Sequence, residues 1–185
     1  MARTLYSVTM SLDGFIAGPG GDMQWLTAYL GDDDPRLATL VREIGALIVG
    51  RRTFTGDDPN AGTDAEGAFG GQWDGPVVVL ARDVASLPEP GPGVTVLEDV
   101  HEALALARAA AGDKPYVNIL GAATARRVLE AGALDEVLVL VAPVLLGDGT
   151  RLFDHPGGTT VRLERLQEWS TPHANGLWYR VLPRA

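Results

Sequence analysis

The sequence predicts an α/β fold: a three-layer α/β/α domain whose mostly parallel mixed sheet ends in an antiparallel C-terminal hairpin. Three observations carry the prediction. Short continuous apolar runs, ALIV at Ala46–Val49 and PVVVLA at Pro76–Ala81 among them, match strands buried on both faces. Segments with apolar residues at helical spacing stand between such runs, and that alternation argues a parallel sheet with helices on both sides. Near the C-terminus the period changes: Leu177, Tyr179 and Val181 alternate with Trp178, Arg180 and Leu182.

In order along the chain, LYSVTMSL at Leu5–Leu12 reads as a buried first strand. Gly14, Gly18, Pro19, Gly20 and Gly21 then force a loop ahead of Trp25. DDDP at Asp32–Pro35 marks a helix start, because an aspartate accepts from the free N–H groups of the first turn and proline suits the first helical position. Leu37, Leu40, Val41 and Ile44 continue that helix. After ALIV and PVVVLA, Val94–Leu97 is a third short strand. Val100, Leu104, Ala107 and Ala111 outline a helix that stops at Gly112, and Tyr116–Leu120 is the next strand. Ala122, Ala125, Val128 and Leu129 mark a helix closed by Gly132, followed by a buried strand at Asp135–Ala142. The last two strands run from Val161 to Trp169 and from Leu177 onward, with Asn175-Gly176 as the two-residue turn between them. Arg82–Gly93 and Gly56–Gly75 are loops. The second is long and rich in Gly and Asp, a type that tends to be functional. A single domain over residues 1–185 accommodates all of this.

Composition narrows the function. With 46% apolar and 21% charged residues, the 185-residue chain has enough material for a core. Its 24 acidic and 15 basic side chains leave a formal charge of -9, which repels nucleic-acid backbones and anionic lipid, so a small-molecule partner is expected. The absence of cysteine excludes disulfides, thiolate metal sites and cysteine nucleophiles. No signal peptide or membrane-length apolar run is visible, and a cytoplasmic location is expected. His101, His155 and His173 are scattered, so no metal site is expected, and no G-x-S-x-G elbow supports a hydrolase.

Two strand ends offer chemistry. Gly50-Arg51-Arg52-Thr53-Phe54 follows ALIV directly, so free N–H groups and two guanidinium groups would meet an anion at the carboxyl end of a parallel strand. Ile119-Leu120-Gly121-Ala122-Ala123-Thr124 repeats the design of strand, small residues and helix. With Arg82 after a third strand, the three ends suit one ligand carrying several phosphates, such as a dinucleotide. There is no G-x-G-x-x-G and no P-loop. Asp13, in Ser11-Leu12-Asp13-Gly14, and Asp57-Asp58-Pro59 are further candidates, each also readable as a turn.

The order SLDGFIAG, Trp25, LIVGRRTF, ILGAAT and GALDEVLVLVAPVLLGDGTRLF closely resembles the reductase domain of riboflavin biosynthesis and its stand-alone relatives, which share the fold of dihydrofolate reductase. The resemblance implies a dihydrofolate reductase-like domain that uses NADPH. It implies that Gly50, Arg51, Arg52 and Thr53 hold the 2′-phosphate and pyrophosphate side, and that Leu80, Ala81 and Arg82 flank the adenine ribose. Ile119, Leu120, Gly121, Ala122, Ala123 and Thr124 would cradle the pyrophosphate, with Ile16 and Ala17 in a mobile loop over the nicotinamide. Gly50, Thr53, Asp57, Asp58 and Pro59 fit the riboflavin enzymes' G-x-x-T-x-x-x-D-[DN]-P pattern, but NAGTDAEG replaces the leucine and arginine that follow it there. Dihydrofolate reductases carry a carboxylate where this chain has Leu30. The expected reaction is hydride transfer to a C=N or C=O of a small pterin- or pyrimidine-like heterocycle. Asp57 is the first choice as proton donor and Asp13 the second, either needing a raised pKa. Ser11, Trp25 and Trp73 are expected at the substrate. Dihydrofolate reductase proper and a non-catalytic NADPH-binding domain are the alternatives, and a homodimer is suggested by the hairpin and the apolar VLVLVAPVLL strand.

Overall fold

The computed structural model describes residues 1–29, 34–56, 58, 60–84 and 87–183. They form ten strands: β1 (Arg3–Ser11), β2 (Phe15–Ala17), β3 (Ile44–Gly50), β4 (Val77–Leu80), β5 (Val94–Leu97), β6 (Tyr116–Leu120), β7 (Glu136–Ala142), β8 (Thr150–Arg151), β9 (Leu163–Ser170) and β10 (Asn175–Val181). Eight of them make one sheet in the order β5-β4-β3-β6-β1-β7-β10-β9, while β2 and β8 pair with each other. Every ladder from β5 to β7 is parallel, and only β10 runs against its neighbours. The helices are α1 (Pro35–Glu43), α2 (Arg51–Thr55), α3 (Val100–Ala110) and α4 (Ala122–Glu130).

Strand alternation supplies two cores. Val117 and Ile119 of β6 face one side, where Ala103, Leu104 and Ala107 of α3 and Ala125 and Val128 of α4 cover them. Tyr116 and Leu120 face the other, which Leu40 of α1 and Phe54 of α2 help to close, together with Phe69 and Trp73. The sheet is thus the middle of three layers, as the alternating pattern predicts. Asp34 caps α1 as expected: Oδ1 accepts from the Arg36 N–H at 2.9 Å, with Pro35 next in the chain. Asp32, Asp33 and Leu30 lie outside the described residues.

Two readings need correction. Ile44, expected in the first helix, is instead the first residue of β3, and α1 ends one residue earlier. Asn175-Gly176 is not the hairpin turn. Asn175 pairs with Ser170 and Gly176 with Trp169, and the turn is made by the four residues before them. There the Thr171 N–H donates to the Ala174 carbonyl at 2.8 Å, and Thr171 Oγ1 accepts from the Ala174 N–H at 3.0 Å. Gly176 is required by close approach, since a Cβ there would stand 2.2 Å from Trp169 Cε2. A glycine after asparagine carries two meanings, and packing decided between them.

At the amino end of β7, Glu136 is 1% exposed and shares its carboxylate among Arg3 Nη1 (2.7 Å), Trp178 Nε1 (2.8 Å) and the Tyr116 hydroxyl (3.4 Å). Burial, with the adjacent Glu136 charge second, raises the Tyr116 phenol to about 12. β7 itself lies between β1 and β10, so its apolar sequence suits the interior of the sheet. Among the described residues no helix is long and apolar enough to cross a membrane.

Candidate functional site: a cleft at the carboxyl ends of the strands

The parallel strands end along one edge of the sheet, and a cleft of about 2140 Å³ opens there. Such edges bind ligands because the strand-to-helix turns expose backbone groups that the ladder no longer uses. Gly50, Arg51, Arg52 and Thr53 line it, as do Leu80, Ala81 and Arg82, and Leu120, Gly121, Ala122, Ala123 and Thr124. Ile16 and Ala17 line it too. They are not in a free loop, however: they form β2, paired with β8 and largely buried. Ile119 is fully buried beneath the cradle and supports it from the core.

The two strand ends interlock. A Cβ on Gly50 would lie 2.5 Å from Thr124 Oγ1, and one on Gly121 would lie 2.6 Å from Thr53 Oγ1. Gly121 also has φ +94°, which side chains avoid. The end of β3 therefore leans on α4, and the end of β6 on α2, through two threonines. Neither α2 nor α4 has a side-chain cap. α4 presents its first N–H groups toward the cleft, where an anion is stabilised. α2 is only five residues long, so the pull on an anion there comes from the arginines rather than from a helix dipole.

Charge is sorted around this cleft. Six arginines and five aspartates line it, in a chain whose overall balance is -9. Four arginines elsewhere meet carboxylates: Arg3 with Glu136, Arg36 with Asp34, Arg108 with Asp135 and Arg180 with Glu164. Among the described residues Arg51, Arg52 and Arg82 form no such pair. Arg151, from β8, lies 4.6 Å over the Phe15 ring. No group of three or more His, Asp or Glu residues suited to a metal ion occurs among the described residues.

The opposite half is built from α1, the sheet face and the loop after α2. Ser7, Thr9, Leu47 and Leu138 line it. Asp34, 6% exposed, lies at its wall, held two-pronged by Arg36 Nη1 at 3.1 Å from each oxygen, and Arg36 lies 5.3 Å over the Trp169 ring. The long loop is ordered by Asp58, which accepts from the N–H groups of Asn60 (2.8 Å) and Gly67 (2.6 Å). It is pinned to the sheet by Trp73, whose Nε1 donates to the Ile44 carbonyl at 3.1 Å.

Several expected site residues are placed elsewhere. Trp73 is a latch packed in the second core and does not line the cleft. Trp25 also stands off it, its ring 6.2 Å from that of Tyr29. Ser11 is fully buried, donating to Asp13 Oδ1 at 2.6 Å and accepting from the Phe15 N–H at 3.0 Å. Asp13 in turn accepts from the N–H groups of Leu146 (3.1 Å) and Gly147 (2.7 Å). The Ser11 hydroxyl, then these backbone donors, pull its carboxyl down to about 2, opposite to the raised value a proton donor needs. Asp57 and Pro59 lie outside the described residues. Asp34 and Arg127 are the cleft residues that sequence reasoning missed. The run of three aspartates signalled Asp34 only as a cap, and nothing in the helical pattern marked Arg127.

Residues 4–173 match the family model of the RibD C-terminal domain. The chain belongs to the RibD C-terminal domain family. Members of this family include the riboflavin biosynthesis protein RibD of Mycobacterium tuberculosis, to which the chain is 30% identical over 171 residues, 87% of its own length and 48% of the relative's. The chain thus spans about half the length of the curated relatives it matches. Its fold is similar to that of a putative riboflavin biosynthesis protein from Shewanella sp. PV-4 (TM-score 0.73, 22% identity, covering 99% of this chain and 100% of that one). It is also similar to the dihydrofolate reductase of Enterococcus faecalis, solved as a complex with NADP(H) (TM-score 0.60, 17% identity, 97% and 96% covered). This RibD C-terminal domain therefore has the three-layer α/β/α architecture that its strand and helix pattern predicts, and the dihydrofolate reductase-like fold that the family resemblance implies.

Proposed function

We propose that the domain is an NADPH-dependent reductase acting on a small pterin- or pyrimidine-like heterocycle, of the kind reduced in riboflavin synthesis. One observation carries the reading: two glycine-ended strands interlock in a cleft lined by Arg51, Arg52 and Arg82, which pair with no carboxylate among the described residues. A backbone surface without Cβ atoms fits the close passage of a pyrophosphate, and the guanidinium groups fit phosphate oxygens. NADPH held there would supply a hydride. Gly50, Thr53 and Gly121 to Thr124 would hold the pyrophosphate, Arg51 and Arg52 its charge, and Leu80, Ala81 and Arg82 the ribose. Ile16 and Ala17, on the paired strand β2, would lie against the reacting ring and exclude water.

The chain's own work is alignment of donor and acceptor and delivery of a proton. Asp13 is held ionised away from the cleft, so the proton role is assigned to Asp57, on the pattern it shares with the riboflavin enzymes. Asp57→Asn is expected to lower turnover at least about tenfold while NADPH binding is retained. Unchanged turnover removes Asp57 from the mechanism. Calorimetry tests the coenzyme directly, and the absence of heat with millimolar NADPH would overturn the whole reading. A homodimer through the hairpin and the VLVLVAPVLL strand is part of the same reading. The outer strand β9 carries Glu164, Arg165 and Glu168, charges that commonly guard a sheet edge, and light scattering reads the outcome.

A second reading, reduction of dihydrofolate, is favoured by Asp34. It places a buried carboxylate at the start of the first helix, in the cleft, where Leu30 offers none. NADPH oxidation on adding dihydrofolate separates the two.

A further inference from the structure

We propose that Arg127, acting with Arg82, reads the 2′-phosphate of the coenzyme, so that NADPH is chosen over NADH at the outer end of the cleft and not at Arg51 and Arg52. The inference rests on the coenzyme reading above and adds a residue that the sequence pattern does not single out.

Backbone geometry brings the two arginines to the same end of the cleft. The Ala81 N–H donates to the Leu97 carbonyl at 3.0 Å, continuing the pairing of β4 with β5 up to Ala81, and Arg82 follows directly. From the second turn of α4, Arg127 Nη2 donates to the Glu98 carbonyl at 2.6 Å. Both arginines line the cleft, and neither forms an ion pair among the described residues. The helix that carries Arg127 is also the one whose first turn forms the Gly121 cradle.

Side by side, the two cations oppose each other. Burial, and then the charge of Arg82, lower the Arg127 pKa, against the pull of Asp99 and of Glu130, the carboxylates that face it. An anion between the guanidinium groups relieves that repulsion and accepts from both. A 2′-phosphate has the charge and the oxygens to do so, whereas a 2′-hydroxyl has no charge to offer. The bond to Glu98 already orients Arg127, so little side-chain order remains to be imposed on binding. Arg51 and Arg52 follow Gly50 directly, beside the cradle for the pyrophosphate, which NADPH and NADH share.

The test is calorimetric titration of the full chain with NADPH, NADH, 2′,5′-ADP and 5′-AMP. Arg127→Gln is expected to weaken NADPH and 2′,5′-ADP about tenfold or more, and to leave NADH and 5′-AMP within about twofold. Arg82→Gln should reproduce the pattern. Since Arg82 makes no hydrogen bond among the described residues, its removal does not threaten the fold, and this variant keeps the proposal testable if Arg127→Gln unfolds. An equal loss for NADPH and NADH, or an unchanged ratio in either folded variant, overturns the proposal and leaves the reductase reading standing. Failure of the unsubstituted chain to bind NADPH overturns both.

Discussion

The two halves of the cleft finish their helices in opposite ways. In one half, α1 begins with Asp34, whose carboxylate accepts from the Arg36 N–H. In the other, α4 begins with Gly121 and no side chain reaches its first N–H groups. α3, away from this cradle, follows the first pattern: Asp99 accepts from the N–H groups of His101 and Glu102 at 2.8 and 2.9 Å, and the Glu102 bond leads in lowering its pKa. A helix start that carries its own carboxylate has no need of an outside anion. One that begins with glycine beside arginines is left open to a phosphate. The cleft thus separates a half with open N–H groups beside arginines from a half whose helix start carries its own carboxylate.

Converting one half into the other gives the largest expected effect. Gly121→Asp introduces a carboxylate at the start of α4, forces a side chain into a positive φ and places its Cβ against Thr53. NADPH affinity should fall by more than about a hundredfold, roughly 3 kcal/mol. An affinity within a few fold of the parent would show that the cradle is not where the coenzyme lies.

The reverse change is smaller. Asp34→Ala removes a cap and should destabilise the fold by about 1–2 kcal/mol, seen as a fall of a few degrees in Tm, with NADPH affinity unchanged. A loss of coenzyme affinity would mean that the halves are not independent.

The smallest effect concerns a carboxylate used only for structure. Asp13 has a pKa of about 2 in the fold against 3.8 in the open chain, so its contribution is complete above about pH 4 and disappears as the pH falls toward 2. Acid unfolding should therefore be less steep through that window in Asp13→Asn than in the parent chain. Identical acid profiles would show that the loop at Leu146 and Gly147 holds without it.

Much of this was legible in the sequence because burial writes itself into strands. ALIV, PVVVLA and VLVLVA could only be strands covered on both faces, and the strand–helix alternation then implied a parallel sheet with a ligand at its carboxyl edge. Gly50 and Gly121 could be read because a glycine between a strand and a helix has few other reasons to be there. The aromatic and hydroxyl side chains were harder. Trp73 in a long loop looks the same in sequence whether it walls a ligand or latches the loop to Ile44. Ser11 and Asp13 looked like chemistry because nothing nearby revealed that Leu146 and Gly147, more than 130 residues on, supply the partners. Arg127 sits on a helix whose pattern reports only its buried face, so its reach to Glu98 is a tertiary fact.

The reciprocal contact between Gly50 and Thr124, and between Gly121 and Thr53, ties together positions more than 65 residues apart. A bulkier residue at either glycine would need its opposite threonine trimmed at the same step, so the four positions should drift as a set among relatives. Grafting either strand end alone into another member of the family would then carry half of a joint and spoil the host's own, whereas moving both together should transplant it whole.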